Sequence, residues 1–478
     1  MKQPALVPLL LVAALAPGPS SAQDDAGLPP SSRPVRTTAP ATPPSAPGRA
    51  APRPAARGHE VRGHIDWQAH PAMHIPFKIL GEGLTEDPPE NLSWRHQFRQ
   101  TLYAPHLRAS GVRIFVAAAV AAEATKKREK ALALIEDQLD FVEDFVARDP
   151  AFAMARTPAE ARRLLRETNK IVVVHSIEGA RWVLDSPADA ERWRRRGVAV
   201  ITLIHLRDDE FGGAGLNPGV IGALTNLKGA SRNLLHPNRS RGLTDHGRDA
   251  IRWLADAGIL VDLTHMTSEA VDDSLAHMRA HGIPPVVTHG CFAPIRAGER
   301  GFTPRQVLEI YRLGGTFSLP IAGGSLDPRR PTIAVPRDLR RGTLDSFAFH
   351  HQTLQNFLRA HAGHVLGQPG RTWAQLTDAE RTRLALGWAS DWNGFLNHSK
   401  PTATKREVRR AERRGDGDDF LDVDVLGLAH PGLLPQYFQR LEEAGLDLDP
   451  MLRSAERFLQ LWEGAVARQR RVAATARP

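Results

Sequence analysis

The sequence predicts an α/β fold, a (β/α)8 TIM barrel with insertions, and three observations carry that expectation. Eight short apolar, β-branched runs follow one another along the chain, segments of helical spacing lie between them, and several runs end in His, Glu or Asp.

In chain order the runs are HIDWQAH (64–70), VRIFVAAAV (112–120), IVVVHSIE (171–178), VAVITLIHL (198–206), ILVDLTH (259–265), PVVTHG (285–290), GTFSLPI (315–321) and LALGWASD (384–391). Their apolar residues are nearly continuous rather than alternating, as in a parallel sheet covered on both faces. REKALALIEDQLDFVEDFVA follows the second run, TDHGRDAIRWLADAG precedes the fifth and TPRQVLEIYRLGG separates the sixth from the seventh. In the last two, Thr244 and Thr303 sit at N-cap positions, and Gly258 and Gly314 close the helices. The alternative fold is an open doubly wound sheet. No Gly-x-Gly-x-x-Gly follows any run, so nothing points to a dinucleotide.

The N terminus reads differently. Lys2, an apolar run from Ala5 to Ala16 and the small residues ending at Ala22 form a secretory signal over residues 1–22. That run is too short to cross about 30 Å of hydrocarbon. Residues 23–57, rich in Pro, Ala, Ser and Arg, lack apolar periodicity and read as a disordered linker. Residues 58–478 form the barrel domain, and the expected location is secreted or periplasmic, without stable membrane insertion once the signal is removed.

The formal net charge of +9 raises the question of nucleic acid. The excess comes from Arg scattered over helices and from TKREVRRAERRGDGDD (404–419), and no recognisable binding motif accompanies it, so no nucleic-acid partner is expected. The 404–419 run is expected to be a solvated, mobile insertion. The single cysteine, Cys291, rules out an intramolecular disulfide.

His70, Glu178, His205, His265, His289 and Asp391 stand at or beside run ends. A lone histidine there is usually a hydrogen-bonded structural residue, but this many at equivalent positions indicate a metal or catalytic site at the C-terminal rim.

The stretches SIEGA around Glu178, TLIHL around His205, GILVDLTHMT around His265, VVTHGCFAPIRAGERGFTPRQVL from His289 to Arg300 and LGWASDWNGF around Asp391, with the late SAERFLQLWEG, resemble the membrane (renal) dipeptidase family of the metal-dependent amidohydrolase superfamily. The resemblance implies a zinc hydrolase of short peptides, holding one or two Zn²⁺, in which metal-activated water attacks the carbonyl. It implies that Glu178 bridges the metals, that His265 and His289 complete the second position and that His70 belongs to the first. His205 resembles the imidazole that steadies the oxyanion, Asp391 the residue that moves the proton, and Arg300 the group that grips the substrate carboxylate. A solvent-facing loop charge is the alternative reading of Arg300. A homodimer is also implied.

In that family the first strand ends His-x-Asp or His-x-His, whereas here the corresponding pair is Gln68 and His70. The spacing places both on one face, but a neutral amide oxygen is a poor zinc donor. Asp66 and His64 lie about 13 and 20 Å along the strand from His70 and are too far to chelate with it. His74, beyond the strand-breaking Pro71, could return from the loop. Otherwise Glu178, His265 and His289 form a three-ligand position open to water. The competing expectation is a non-catalytic or single-metal barrel that binds small peptides.

Cys291 reads as a buried structural cysteine, with a soft ligand or reactive thiol as alternatives. His350, His351, His361 and His364 read as surface or packing residues of an amphipathic helix. The segments 323–341 and 404–419 are expected to shape the pocket mouth.

Overall fold

Helical segments between apolar runs oblige each strand to return parallel to its predecessor, and the computed structural model has that topology. It describes residues 60–78, 84, 102–216, 226, 241–394, 398–414 and 420–475. The signal and linker expectations lie outside the described residues.

The strands are β1 (His64–Ala69), β2 (Val112–Val120), β3 (Phe152–Met154), β4 (Ile171–Glu178), β5 (Val198–Thr202), β6 (Leu260–Asp262), β7 (Val286–Val287), β8 (Cys291–Phe292), β9 (Gly301–Phe302), β10 (Thr316–Pro320) and β11 (Leu386–Ala389). The sheet runs β2-β1-β11-β10-β7-β6-β5-β4-β3, and β2 also pairs with β4, which closes eight strands into a parallel barrel. Each of the eight anticipated runs supplies one strand. β3 is an added edge strand outside the barrel, paired with β4, and β8 and β9 form a separate two-stranded ribbon.

The expected helices form as α1 (Arg128–Arg148), α2 (Asp245–Asp256) and α3 (Pro304–Arg312). Thr244 caps α2 by accepting from Gly247 N, and Thr303 with Gln306 forms a capping box on α3. Gly258 and Gly314, at φ +80° and +73°, take the left-handed conformation that ends each helix. The 404–419 run is not wholly irregular: Thr404 and Glu407 form a capping box on α4 (Lys405–Glu412). Residues 415–419 lie outside the described residues.

Two apolar cores hold the barrel. One packs the helices against the strands. The other joins residues of β1, β2, β4, β5, β6, β7 and β11 to Phe458, Leu461 and Trp462 of the C-terminal helix α5 (Ser454–Thr475), with Trp67 edge-on to Phe458 at 5.2 Å. No described helix is long and apolar enough to cross a membrane.

Candidate metal centre

Glu178 is the last paired residue of β4; elsewhere the strand ladders stop short of the polar run ends, so the backbone is released where the site begins. β5 ends at Thr202, three residues before His205, and β7 ends two residues before His289. His265 and Asp391 both have left-handed backbone, at φ +72° and +53°, a conformation uncommon outside glycine and concentrated at functional positions. Gly179, at φ +87°, follows Glu178, and a Cβ there would lie 3.1 Å from His205 Cβ. Glycine thus lets His205 close over Glu178.

The ends of β1 and β11 are joined by backbone bonds. Asp391 N donates to Gln68 O at 2.7 Å, and His70 N donates to Trp392 O at 2.8 Å. Asp66 accepts from Ser390 N at 2.8 Å and from Ser390 Oγ at 2.5 Å. Burial pushes Asp66 up to about 7, against these hydrogen bonds. Asp66 thus ties two strands together and is no ligand, and His64 stacks on Phe438 at 4.0 Å.

Glu178 is the hub. Its Oε1 lies 3.0 Å from His265 Nε2 and 3.4 Å from His289 Nε2. Its Oε2 lies 3.1 Å from His70 Nε2 and 3.4 Å from His205 Nε2. His70 Nε2 is also 3.1 Å from Asp391 Oδ1. The donor atoms of Glu178, His205 and His265 lie within 4.8 Å of one another, as do those of His70, Glu178 and Asp391. His265 Nε2 and His289 Nε2 are 2.9 Å apart.

The electrostatics of this donor set fit a divalent cation. Burial opposes ionisation of Glu178, but His205, His265 and His70 hold it well below the usual carboxylate range. Burial also opposes a charge on His70, yet the contacts with Asp391 and Glu178 push that imidazole up to about 10. The buried Glu178 carboxylate thus calls for positive charge beside it, supplied by a protonated His70 or by a cation. Burial, with Arg300 and His205 nearby, holds His265 well below its ordinary value, leaving a neutral imidazole, the form that ligates metal.

A polar brace lies behind His289. Thr288 Oγ donates to Asp262 Oδ2 at 2.7 Å and is 2.9 Å from His289 Nδ1. Its one proton is committed to Asp262, so it accepts from His289 Nδ1–H and leaves the His289 Nε2 lone pair facing Glu178. Thr202 Oγ donates to the same Asp262 oxygen at 2.7 Å, and Thr264 Oγ to Asp262 Oδ1 at 2.6 Å. Asp262, Thr264 and Thr288 escaped the sequence reading, although the D-x-T-H and T-H strings were its visible signal. Glu123 escaped it too. This buried carboxylate, three residues past β2, sits 3.0 Å from His205 Nδ1. Burial opposes a charge on His205, but Glu123 and Glu178 outweigh it and raise the imidazole.

Of the expected residues, His70, Glu178, His205, His265, His289 and Asp391 meet at this rim. Arg300 joins them, with one guanidinium nitrogen 3.3 Å from His265 Nε2, so it is not a solvent-facing loop charge. Gln68 presents its amide 3.4 Å from His70 Nε2. His74 does not come to the site; its ring packs edge-on against Phe141 at 4.7 Å. Cys291 lies beside the site, with Sγ 3.2 Å from Ser325 O, and burial pushes its thiol up. His350 and His351 are buried in the helix Leu344–Ala360, where His350 Nε2 accepts from Phe292 N at 2.7 Å, while His361 and His364 lie nearer solvent.

Similar architecture is found in solved structures. A metallopeptidase from Rhodobacter sphaeroides, liganded with a phosphinate mimic of L-Ala-D-Ala, superposes with a TM-score of 0.55 at 17% identity, over 85% of this chain and 100% of that one. Dipeptidase AC, also a metallopeptidase, gives 0.56 at 17% identity over 85% and 99%. The probable dipeptidase PvdM of Pseudomonas aeruginosa gives 0.55 at 15% over 86% and 97%. The model of the membrane dipeptidase family matches residues 80–334, more than half of the chain. Its span includes Glu178, His205, His265, His289 and Arg300 and leaves out Gln68, His70 and Asp391. The chain belongs to the membrane dipeptidase family, peptidase family M19, and is a metal-dependent enzyme of the dipeptidase class.

Proposed function

We propose that the protein is an exported, zinc-dependent hydrolase of dipeptides or similarly small amides. The observation that carries this reading is the division of Glu178: one carboxylate oxygen faces His265 and His289, the other faces His70 and His205. A carboxylate so placed suits a bridge between two cation positions.

His265 and His289 would hold the second cation with Glu178, and His70 the first, with Gln68 in place of a stronger donor. Zinc bound there supplies Lewis acidity and lowers the pKa of water. His205, whose imidazole Glu123 and Glu178 raise against burial, would donate toward an oxyanion developing beside Glu178. Asp391, within reach of His70, accepts a proton and delivers it to the departing amine. Arg300 binds the free carboxylate of the substrate as a charge-assisted pair.

Hydrolysis of a dipeptide panel by the metal-loaded protein, with and without chelator, tests the reading. Asp391→Asn is expected to abolish turnover while metal is retained, and full activity in that variant would eliminate the mechanism. The amide at Gln68 favours a second reading, a barrel with one filled position or a non-catalytic peptide binder. A metal-free, inert protein that still binds dipeptides would establish that alternative.

A further inference from the structure

We propose that the cavity beside the metal centre selects dipeptides whose C-terminal residue carries a second carboxylate, an Asp or Glu side chain. This rests on the dipeptidase reading above and specifies its substrate class.

The cavity has a volume of about 280 Å³ and is bounded on one side by His265 and His289; Arg296, Arg300, Arg329 and Arg330 also line it. Its carboxylate, Glu299, is already engaged, since Oε2 accepts from Arg241 at 2.6 Å and from Leu216 N at 3.0 Å. The lining therefore presents several guanidinium groups to any occupant and no free acid.

The backbone places two of these cations deliberately close. Arg296 and Arg329 are direct partners in a parallel bridge. It is built by Arg329 N donating to Ile295 O at 3.0 Å and Ala297 N donating to Arg329 O at 2.9 Å. Like charges at directly paired positions are destabilising; Arg329 is exposed, so solvent screens part of the repulsion, but no acidic side chain among the described residues pairs with either. Arg296 donates to a neutral acceptor, Asp327 O, at 3.0 Å. The carboxylate of Asp327 is turned away, accepting from Gly342 N at 2.5 Å and Ser346 Oγ at 2.9 Å. Among the described residues neither Arg296 nor Arg329 makes an ion pair. An anionic occupant would supply the missing partner.

Two anchor points correspond to two carboxylates on one residue. Arg300 touches His265, so it serves the carboxylate nearest the scissile amide. Arg296 and Arg329 line the same cavity without any contact to the ligand cluster, so they serve a group one side chain further away. In a dipeptide only the C-terminal residue carries its main-chain carboxylate and a side chain from the same carbon. Apolar and amide side chains there leave the second anchor unpaired, and a basic one is repelled.

The test compares kcat/KM for Ala-Glu and Ala-Asp with Ala-Gln and Ala-Asn, using both L and D C-terminal residues. The acidic dipeptides are expected to exceed their amides by about tenfold or more, a ratio that falls with added salt and collapses toward one in Arg296→Gln/Arg329→Gln. Equal rates, or a preference that survives both substitutions, would overturn the inference while leaving the dipeptidase reading intact. Failure of the metal-loaded protein to cleave any dipeptide would overturn the dipeptidase reading instead. Calorimetric titration of Ala-Glu and Ala-Gln into Asp391→Asn, with and without Arg296→Gln/Arg329→Gln, reads the preference without turnover. Tighter binding of Ala-Glu supports the inference, and equal affinities overturn it.

Discussion

Thr288→Val isolates the brace behind His289, because valine keeps the shape of threonine and removes only its hydroxyl. In the native protein that hydroxyl bonds Asp262 Oδ2 at 2.7 Å and receives His289 Nδ1–H at 2.9 Å. The variant leaves the ring N–H buried without its acceptor, while Asp262 Oδ2 keeps Thr202 as a donor. Orphaning a buried polar group costs about 1–3 kcal/mol, so one complete loss and one partial loss give about 2–3 kcal/mol of stability. The ring is also freed to change tautomer and turn its lone pair from the site. Loss of such an outer partner weakens metal binding about 10–100-fold. Denaturant unfolding of the metal-free protein measures the first effect, and competition with a chelator of known affinity measures the second. A variant within about 0.5 kcal/mol of wild type, with zinc affinity unchanged within twofold, would refute the assignment of Thr288 as the group that orients His289.

Gln68→His should raise metal affinity at the first position, because imidazole is a stronger zinc donor than an amide; chelator competition resolving two binding steps checks this, with the second step left in place. Gly394→Ala should cut turnover severely while the fold persists, since a Cβ there collides with the Asp391 carboxylate; kcat and circular dichroism report the two effects. Acid should destabilise the protein before the ordinary carboxylates titrate, with Asp66, raised to about 7, opposing the trend. Burial lowers His64, His351 and His398 to about 4 and His350 to about 3. The unfolded chain takes up these protons below pH 6.5 and the folded one does not, so the stability is complete above pH 6.5 and lost as pH falls toward 4. Each group contributes about 2 kcal/mol of loss by pH 5. Unfolding free energies at pH 7.5 and 5 should differ accordingly, and His351→Leu should reduce proton uptake on unfolding by about one.

Much of the barrel was legible because each strand is a short apolar run flanked by helical spacing. The ends were less so. VAVITLIHL pairs only over Val198–Thr202 and PVVTHG only over Val286–Val287, so His205 and His289 lie past the ladder, whereas Glu178 is still within it. Phe152–Met154 was invisible, as three residues carry no periodicity. The capping pattern T-x-x-E at Thr404 was present in the sequence, but the density of charge masked it. Among site residues, those at run ends stood out by chemistry. Glu123 did not, because its run closes at Val120 and its role depends on His205 arriving from another strand. The Asp262 brace and the pairing of Arg296 with Arg329 likewise exist only once distant segments are adjacent in space, so composition could not reveal them.

The proposed chemistry requires that Glu178 and the imidazoles around it hold a divalent cation. Elemental analysis of the purified protein after zinc loading and desalting, beside Glu178→Gln, tests it most directly. At least one zinc per wild-type chain, lost in a folded Glu178→Gln protein, is the predicted result. A wild-type chain that retains no zinc, or a Glu178→Gln variant that retains as much as wild type, would contradict it.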